Sequence, residues 1–535
     1  MPKLAAIATA ALAALVLTPG ASTVTFGVTD DRGKEVPERT TTFLDAMKDI
    51  GLTENRLAIV WNADRPREIP DKAFLDAFVA QASARGIRLV FAVYPGSARV
   101  LTDYPEAPGE FIDFLQLVAR TYPQVKDFIV GNEPNQPRFW QPQFTLAGAP
   151  VACRQYTPLL ARSYDALKAV DPSISVIGVA VSPRGNDNPR AISNISTSLV
   201  RCIRDIGLVY RASRRTRPLM DEFSFHPYPE RDTHPLERGY TWPKAGMVNL
   251  DRIKQAVWDA FNGTPQPTFA EAGRSVVMPA LTFRLDEVGW QVGVPPIARH
   301  AYFGRESVIT TDEASQARIY GEAIRLVACD ASVKSALFFG LVDEPDLERW
   351  QAGLMRADWS PRPAYDSVKR AIAETGGRCT GTQVAWKHAT SVVGATWRPG
   401  LPRKQKGKSV WSFSAKVAED ATFRAAVLRV RSKRKIPARG HVAIAQLLRG
   451  KAPGLLFRKG AVRAPFARVY RFKPRRMQSG YYVVAVLLQA EMNATRTKVF
   501  VSRPFRVTTP KAKPKKLKPK KANAKKTKAK PKRKK

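Results

Sequence analysis

From residue 24 to about residue 374 the chain alternates short runs rich in β-branched and aromatic residues with longer amphipathic stretches, about eight times over. This repeat constrains the fold more than any other feature, because alternating strand and helix patterns build a parallel sheet covered by helices. The strand-like runs are Val24–Thr29, Asn55–Trp61, Ile87–Tyr94, Asp127–Glu133, Ile174–Val181, Asp221–His226, Leu281–Glu287 and Ser335–Val342. Helical patterns cover Asp71–Arg85, Pro108–Thr121, Tyr156–Val170, Leu250–Phe261, Asp312–Ala328 and Pro363–Thr375. Their apolar positions recur at three and four, as in Phe74 and Phe78 or Phe111, Leu115 and Val118. Eight such units predict a (β/α)8 TIM barrel over residues 22–379. An open doubly wound sheet is the poorer fit, since no Gly-x-Gly-x-x-Gly turn follows the first strand.

A barrel of this kind gathers the carboxyl ends of all its strands on one face, so residues distant in sequence meet there. The same topology sorts the four cysteines, which permit three pairings. Cys153 and Cys202 fall on the carboxyl face, Cys329 and Cys379 on the opposite one, so bridges Cys153–Cys202 and Cys329–Cys379 are expected. Disulfides suit the N-terminus, where Met1-Pro2-Lys3, an apolar run to Leu17 and Thr18-Pro19-Gly20-Ala21 read as a signal peptide over residues 1–21. The expected location is secreted or extracytoplasmic, with association to the cell surface through the C-terminal third.

Charge divides the chain into three. The net charge is +41, but residues 1–379 hold 44 basic and 43 acidic side chains, residues 380–510 hold 28 basic against three acidic, and residues 511–535 hold 15 basic and none acidic. The barrel is therefore near neutral, and affinity for polyanions belongs to the last third. Residues 380–510 carry alternating runs, Ser409–Val417, Phe423–Val430, His441–Leu448 and Tyr481–Ala490, that predict a basic β-sandwich. The stretch Gln478–Val486 with the closing Val499-Phe500-Val501 resembles the last hairpin of immunoglobulin-like or fibronectin-like modules. The Lys, Ala and Pro tail at 511–535 lacks the apolar residues to form a core and is expected to be disordered. Outside the cytoplasm its partners would be anionic cell-wall polymers or lipid headgroups, and nucleic acid is disfavoured.

Two strand ends carry glutamates: Val130-Gly131-Asn132-Glu133-Pro134-Asn135 on the fourth and Leu285-Asp286-Glu287-Val288-Gly289-Trp290 on the seventh. Either alone reads equally well as a turn or a solvated edge. Together they supply the acid and the carboxylate that acetal hydrolysis with retention requires. No His-Glu-x-x-His zinc site, Gly-x-Ser-x-Gly elbow or Walker loop is present, so neither a metal nor another cofactor is expected.

On these motifs residues 24–375 resemble the clan of retaining glycosidases that includes the family 5 cellulases and mannanases and the family 39 xylosidases. The resemblance implies Glu133 as acid/base, Glu287 as nucleophile and Asn132 as partner of the sugar 2-hydroxyl. It further implies that Arg56 keeps the nucleophile ionised, and that His226 and Tyr228, in Phe225-His226-Pro227-Tyr228, form an element whose tyrosine orients it. The chain departs from family 5 where a histidine usually ends strand three and a tryptophan strand eight; it has Val93-Tyr94-Pro95 and Phe338-Phe339-Gly340. Trp140, Trp350 and Trp359 are the candidates for an aromatic sugar platform. The implied substrate is a β-linked oligo- or polysaccharide, cleaved as by an endo-β-glucanase or mannanase. The alternatives are an exo-acting β-xylosidase-like enzyme and a non-catalytic carbohydrate- or surface-binding protein.

The charge division predicts salt-sensitive binding to anionic polymers through residues 380–535. On a polyanion column, removal of residues 511–535 should lower the eluting salt concentration; unchanged elution would place the affinity elsewhere.

Overall fold

The computed structural model describes residues 23–273, 279–405, 408–450, 455–465, 468–472 and 477–508. The expected signal segment and the lysine tail lie outside them. The first eight strands are β1 Thr25–Thr29, β2 Glu54–Trp61, β3 Arg88–Pro95, β4 Asp127–Val130, β5 Ser175–Val181, β6 Glu222–Phe225, β7 Thr282–Val288 and β8 Val333–Phe339. All pair in parallel in chain order, and β8 returns to β1, closing a TIM barrel. The outer helices follow the strands in turn: α1 Thr40–Ile50, α2 Lys72–Ala84, α3 Ala107–Thr121, α4 Ala152–Val170, α5 Leu199–Ser213, α6 Leu250–Phe261, α7 Glu313–Ala328 and α8 Pro363–Thr375.

Local chemistry sets the ends of these helices. Asp312 caps α7 by accepting from the Ser315 N–H at 2.8 Å, Pro363 opens α8, and α1 stops at Gly51 in the left-handed region. In α3 the expected Phe111, Leu115 and Val118 are all buried. In α2, Leu75 joins Phe78 in the core while Phe74 points outward, half exposed, because the helix sits one position further round than the aromatic pair suggests.

Inside the barrel the amino-terminal layer is charged. Glu54, Asp127 and Glu222 open β2, β4 and β6, and all three reach Arg284 of β7, which is completely buried. Arg88 grips Asp127 and Lys334 grips Glu222 at 2.5 Å from the rim, so three cations balance three carboxylates. Above them Val90, Ala92, Ile129, Ile177 and Ala180 form an apolar plug, which separates this network from the barrel mouth.

The two disulfides are the expected ones: Cys153–Cys202 joins α4 to α5, and Cys329–Cys379 joins the ends of α7 and α8, with Cα separations of 5.3 and 4.3 Å. Among the described residues no helix is long and apolar enough to cross a membrane.

The C-terminal region contains β9 Thr396–Gln405, β10 Lys408–Lys416, β11 Ala421–Val430, β12 Leu455–Val462, β13 Arg468–Phe472, β14 Gly480–Ala490, β15 Thr497–Val501 and β16 Phe505–Val507. One antiparallel sheet runs β13-β10-β9 and the other β12-β11-β14-β15, with β16 beside β14. Phe413 and Ala415 of the first pack on Phe423, Val484 and Val486 of the second, giving a two-sheet core. One expected strand is corrected: His441–Leu448 lies in a helix, α9 Ala438–Arg449. Its apolar Ile444, Ala445 and Leu448 recur at helical spacing and cover the outer face of the second sheet against Leu428, Val483 and Leu487. The domain is tied to the barrel by Arg496, nearly fully buried, which donates to Asp259 of α6 and to Glu419, both at 2.6 Å.

The charged layer predicts two outcomes. Arg284→Leu leaves buried Glu54 without its ion-pair partner and takes one of two cations from Asp127 and from Glu222, and should lower stability by about 3–5 kcal/mol, read from the denaturant midpoint; a loss near zero would mean the layer is solvated. Burial disfavours the Glu222 charge, but Arg284 and Lys334 outweigh it and hold the group near about 2, below its ordinary 4.5. A depressed carboxyl contributes stability above its unfolded value and loses it below. Thermal stability should therefore fall from pH 4.5 towards 2, with a shallower acid limb in Glu222→Gln.

Candidate active site

Four strand ends build the mouth of the barrel. Regular pairing of β4 stops at Val130, and Gly131 and Glu133 both take positive φ, +80° and +35°. A side chain at Gly131 would lie 3.0 Å from the Tyr156 ring, whose hydroxyl donates to the Val130 carbonyl at 2.7 Å. Glu133 is held in this uncommon conformation by its N–H bond to the Ala180 carbonyl at 2.8 Å. Asn135, wholly buried, fixes the same loop to the one after β5 by donating to the Ser182, Arg184 and Thr197 carbonyls and accepting from the Ser182 N–H.

On β7, Asp286 and Glu287 are neighbours and in a regular strand would face opposite ways. The β7–β8 register shifts between Leu285 and Val288, and this irregularity lets both carboxylates reach the same cations. Arg56 of β2 donates to Glu287 Oε1 at 2.9 Å and to Asn132 Oδ1 at 2.9 Å, and its Nε stands 3.1 Å from Asp286 Oδ2. Tyr228 donates to Glu287 Oε2 at 2.8 Å. Gly289 makes room for that phenol, since a Cβ there would stand 3.1 Å from its ring.

His226, fully buried, sits between the two glutamates. Its Nδ1 is 2.9 Å from Glu133 Oε1 and 3.3 Å from Glu287 Oε2, and its Nε2 is 3.5 Å from Asp286. Burial works against an imidazolium, but Glu287 and Asp286 outweigh it and lift the ring to about 10. Burial pushes the Glu287 carboxyl up from its ordinary value, with His226 and Arg56 pulling against that rise. Asp286 is also desolvated, yet His226, Arg56 and the Ser224 hydroxyl at 2.5 Å hold it below the usual carboxylate range.

Three carboxyl groups, Glu133, Asp286 and Glu287, thus face two cations, Arg56 and His226. Among the described residues Glu133, His226 and Glu287 bring three ligand-type atoms within 4.8 Å of one another. With Arg56 on Glu287 and a protonated imidazole between the carboxylates, the arrangement is poorly suited to a metal ion and offers two opposed carboxyls for proton transfer and nucleophilic attack.

The structure therefore brings Arg56, Asn132, Glu133, Tyr228 and Glu287 together around a cavity of about 680 Å³, with His226 buried behind the two glutamates. Of the three tryptophans only Trp350 lines it, standing 4.8 Å from the Tyr228 ring and 6.0 Å from Phe339. Trp140 is buried against Tyr156, and Trp359 packs on the barrel core beneath Arg39. Tyr94, at the end of β3, and Phe339, at the end of β8, both line the cavity. The residues the sequence did not single out are Asp286 and Asn135. Both lie in the quoted strand-end motifs, and neither shows its burial in sequence.

No protein-family model and no curated protein matches the chain. Solved structures do. A family 39 glycoside hydrolase from Bacteroides cellulosilyticus WH2 is similar at TM-score 0.44 and 17% identity, over 78% of this chain and 74% of that one. A monomeric beta-xylosidase from Caulobacter crescentus CB15 gives 0.43 and 15%, over 88% and 97%. An endo-1,4-beta-mannanase from Rhizomucor miehei gives 0.41 and 14%, over 66% and 96%.

The lifted imidazole predicts that His226 stays protonated on both nitrogens at pH 7, read from its ring nitrogen shifts by NMR; a neutral ring at pH 7 contradicts the charge balance. A raised group contributes stability in full below its unfolded value near 6.5 and loses it as pH rises through about 10. Thermal stability should therefore decline on that alkaline side, less so in His226→Gln.

Proposed function

We propose that this chain is a retaining β-glycosidase working by double displacement, with Glu287 as nucleophile and Glu133 as acid/base. The observation that carries the reading is the opposed pair itself: carboxyl oxygens within 4.8 Å across the barrel mouth, one gripped by Arg56 and Tyr228, the other by His226 alone. Retaining enzymes space their carboxyl groups about 5–5.5 Å apart, whereas inverting enzymes leave room for a water, about 6.5–9.5 Å.

The unequal surroundings assign the roles. Glu287 is the more enclosed and carries a guanidinium and a phenol that favour its anion, as an attacking carboxylate needs. Glu133 is the more exposed, stands in the loop after β4, and is assigned the side on which a leaving group departs. In the first step Glu287 bonds to the anomeric carbon while Glu133 gives its proton to the departing oxygen. In the second, Glu133 takes a proton from water, which attacks the same carbon and frees Glu287. The imidazolium of His226 faces both carboxyls and offsets the charge that moves between them. Asn132 accepts from Arg56 through Oδ1, so its amide N–H groups are left to meet a sugar hydroxyl.

The cavity has the size of clefts that take drug-sized ligands, enough for a sugar on each side of the scissile bond. Its walls come from the loops after β1 and β8 on one flank and β4 and β5 on the other, and we assign endo action on a β-glucan or mannan, with Trp350 as the aromatic platform. Export is assigned from the N-terminal segment and the two disulfides. The C-terminal domain is assigned to anionic cell-surface polymers, because its three acidic residues are each taken by an arginine, Glu419 by Arg496 and both Asp420 and Glu491 by Arg463.

Glu287→Ala should lower kcat by about 10⁴-fold or more, while Glu133→Ala should lose most on substrates with poor leaving groups and little in the glycosylation step on activated ones. Azide should rescue Glu133→Ala as a β-glycosyl azide and Glu287→Ala as the inverted α-product. Wild-type activity in both variants would refute the assignment.

A further inference from the structure

The two flanks of the cavity carry opposite charge. On the side of Glu133, Arg138 and Arg184 line the wall, and among the described residues neither has a carboxylate within salt-bridge distance, although the charges of Asp232 and Glu133 act on Arg184 from further off. Arg184 is half-buried and fixed: its Nε donates to the Tyr240 hydroxyl at 3.3 Å and its Nη2 to the Pro229 carbonyl at 2.9 Å, which leaves Nη1 without a protein acceptor. Arg138 is exposed, and its guanidinium lies over the Phe139 ring at 5.6 Å. The opposite flank presents Asp31, Glu35, Glu344 and Glu348. Of the cations there, Lys34 stands 3.4 Å from Asp31 and Arg349 3.5 Å from Glu344, and Arg32 also lines this flank, so the acidic groups outnumber the lining arginines by four to two.

Glu133 can protonate only the oxygen that leaves, so the part of the substrate that departs lies on its side of the cavity, beside the Arg138 and Arg184 guanidinium groups. The sugar that stays on Glu287 meets the acidic flank. Guanidinium groups recognise carboxylates by paired, charge-assisted hydrogen bonds, and a fixed one does so at small entropic cost. We propose that the leaving-group side of this cavity is an anion-binding subsite, in which Arg138 and Arg184 hold the carboxylate of an acidic sugar such as a uronate. The proposal rests on the glycosidase reading and narrows its substrate from a neutral glucan or mannan to a β-linked chain that also carries acidic sugars. The enzyme then cleaves the bond between a neutral sugar, bound at Glu287, and an acidic residue that follows it. Arg138 and Arg184 are specificity residues here, acting on the substrate and taking no part in proton transfer.

The test uses the full chain and a panel of para-nitrophenyl β-glycosides to find a neutral sugar that the wild type hydrolyses. That sugar is then joined to meta-hydroxybenzoate and, separately, to its methyl ester. The free carboxylate is intrinsically the poorer leaving group, so a preference for it reports recognition. The acid should exceed the ester in kcat/KM by about tenfold at low salt, the order of one charge-assisted hydrogen bond, and the ratio should shrink as salt is added. Arg184→Gln and Arg138→Gln should each bring the ratio towards one, and Arg138→Glu should take it below one. Because the ratio is internal to each preparation, partial misfolding does not move it. Hydrolysis of both substrates with the ester preferred by the wild type, or a ratio unmoved by all three variants, overturns the subsite while leaving the glycosidase intact. Hydrolysis of no glycoside in the panel overturns the glycosidase reading, and the subsite with it.

Discussion

Arg56 is the contact on which the mouth of the barrel depends. One guanidinium reaches Glu287, Asp286 and Asn132, and so ties β2 to β7 and to the loop after β4. Without it, Asp286 and Glu287 would be adjacent buried carboxylates with only an imidazolium to offset them, a costly arrangement in a low-dielectric interior. The same rule governs the other end of the barrel, where Arg284 is surrounded by Glu54, Asp127 and Glu222. Between the two lies an apolar plug. The barrel is therefore pinned at both ends by a central arginine, and the upper cluster holds one carboxyl more than it has cations, while the lower one is balanced. That difference is what makes the upper layer suited to chemistry and the lower one to stability.

Much of the barrel was legible in sequence because its signals are periodic. Eight strand-like runs, helical spacing between them and two cysteine pairs sorted by face all follow from topology. Glu133 and Glu287 were legible because a barrel forces strand ends together, so motifs on the fourth and seventh strands need no sequence proximity to meet. The remainder depends on features without a sequence period. Asp286 joins the site only because β7 departs from regular register next to it. Arg284 reads as an ordinary strand residue, and only the acidic residues opening β2, β4 and β6 hint that a buried cation is needed. Trp140 shares its loop with Glu133, yet it turns inward onto Tyr156, a choice made by packing.

The C-terminal third shows the opposite balance. Its charge and its strand-rich character are plain in composition, but His441–Leu448 reads as a strand and folds as part of a helix. The apolar residues within that run fit either period, and the arbiter is tertiary: the outer face of the second sheet offers Leu428, Val483 and Leu487 to be covered. Arg496 carries the same lesson for domain arrangement. A single basic residue near the end of a very basic region gives no sign that it is buried, although it bridges Asp259 of the barrel and Glu419 of the sandwich. The two units consequently share a charged, desolvated seam, and the cationic surface beyond it is carried at a fixed position relative to the barrel mouth.

The central claim is that Glu287 forms a covalent bond to the sugar while Glu133 moves the proton. A glycoside fluorinated next to its anomeric carbon and carrying an activated leaving group slows both steps, and the second one more, so the glycosyl-enzyme accumulates. Mass spectrometry of the digested protein should then place one glycosyl group on the peptide containing Glu287, with that carboxyl as the attachment point. A label on Glu133, or no covalent label together with product of inverted configuration, would contradict the account.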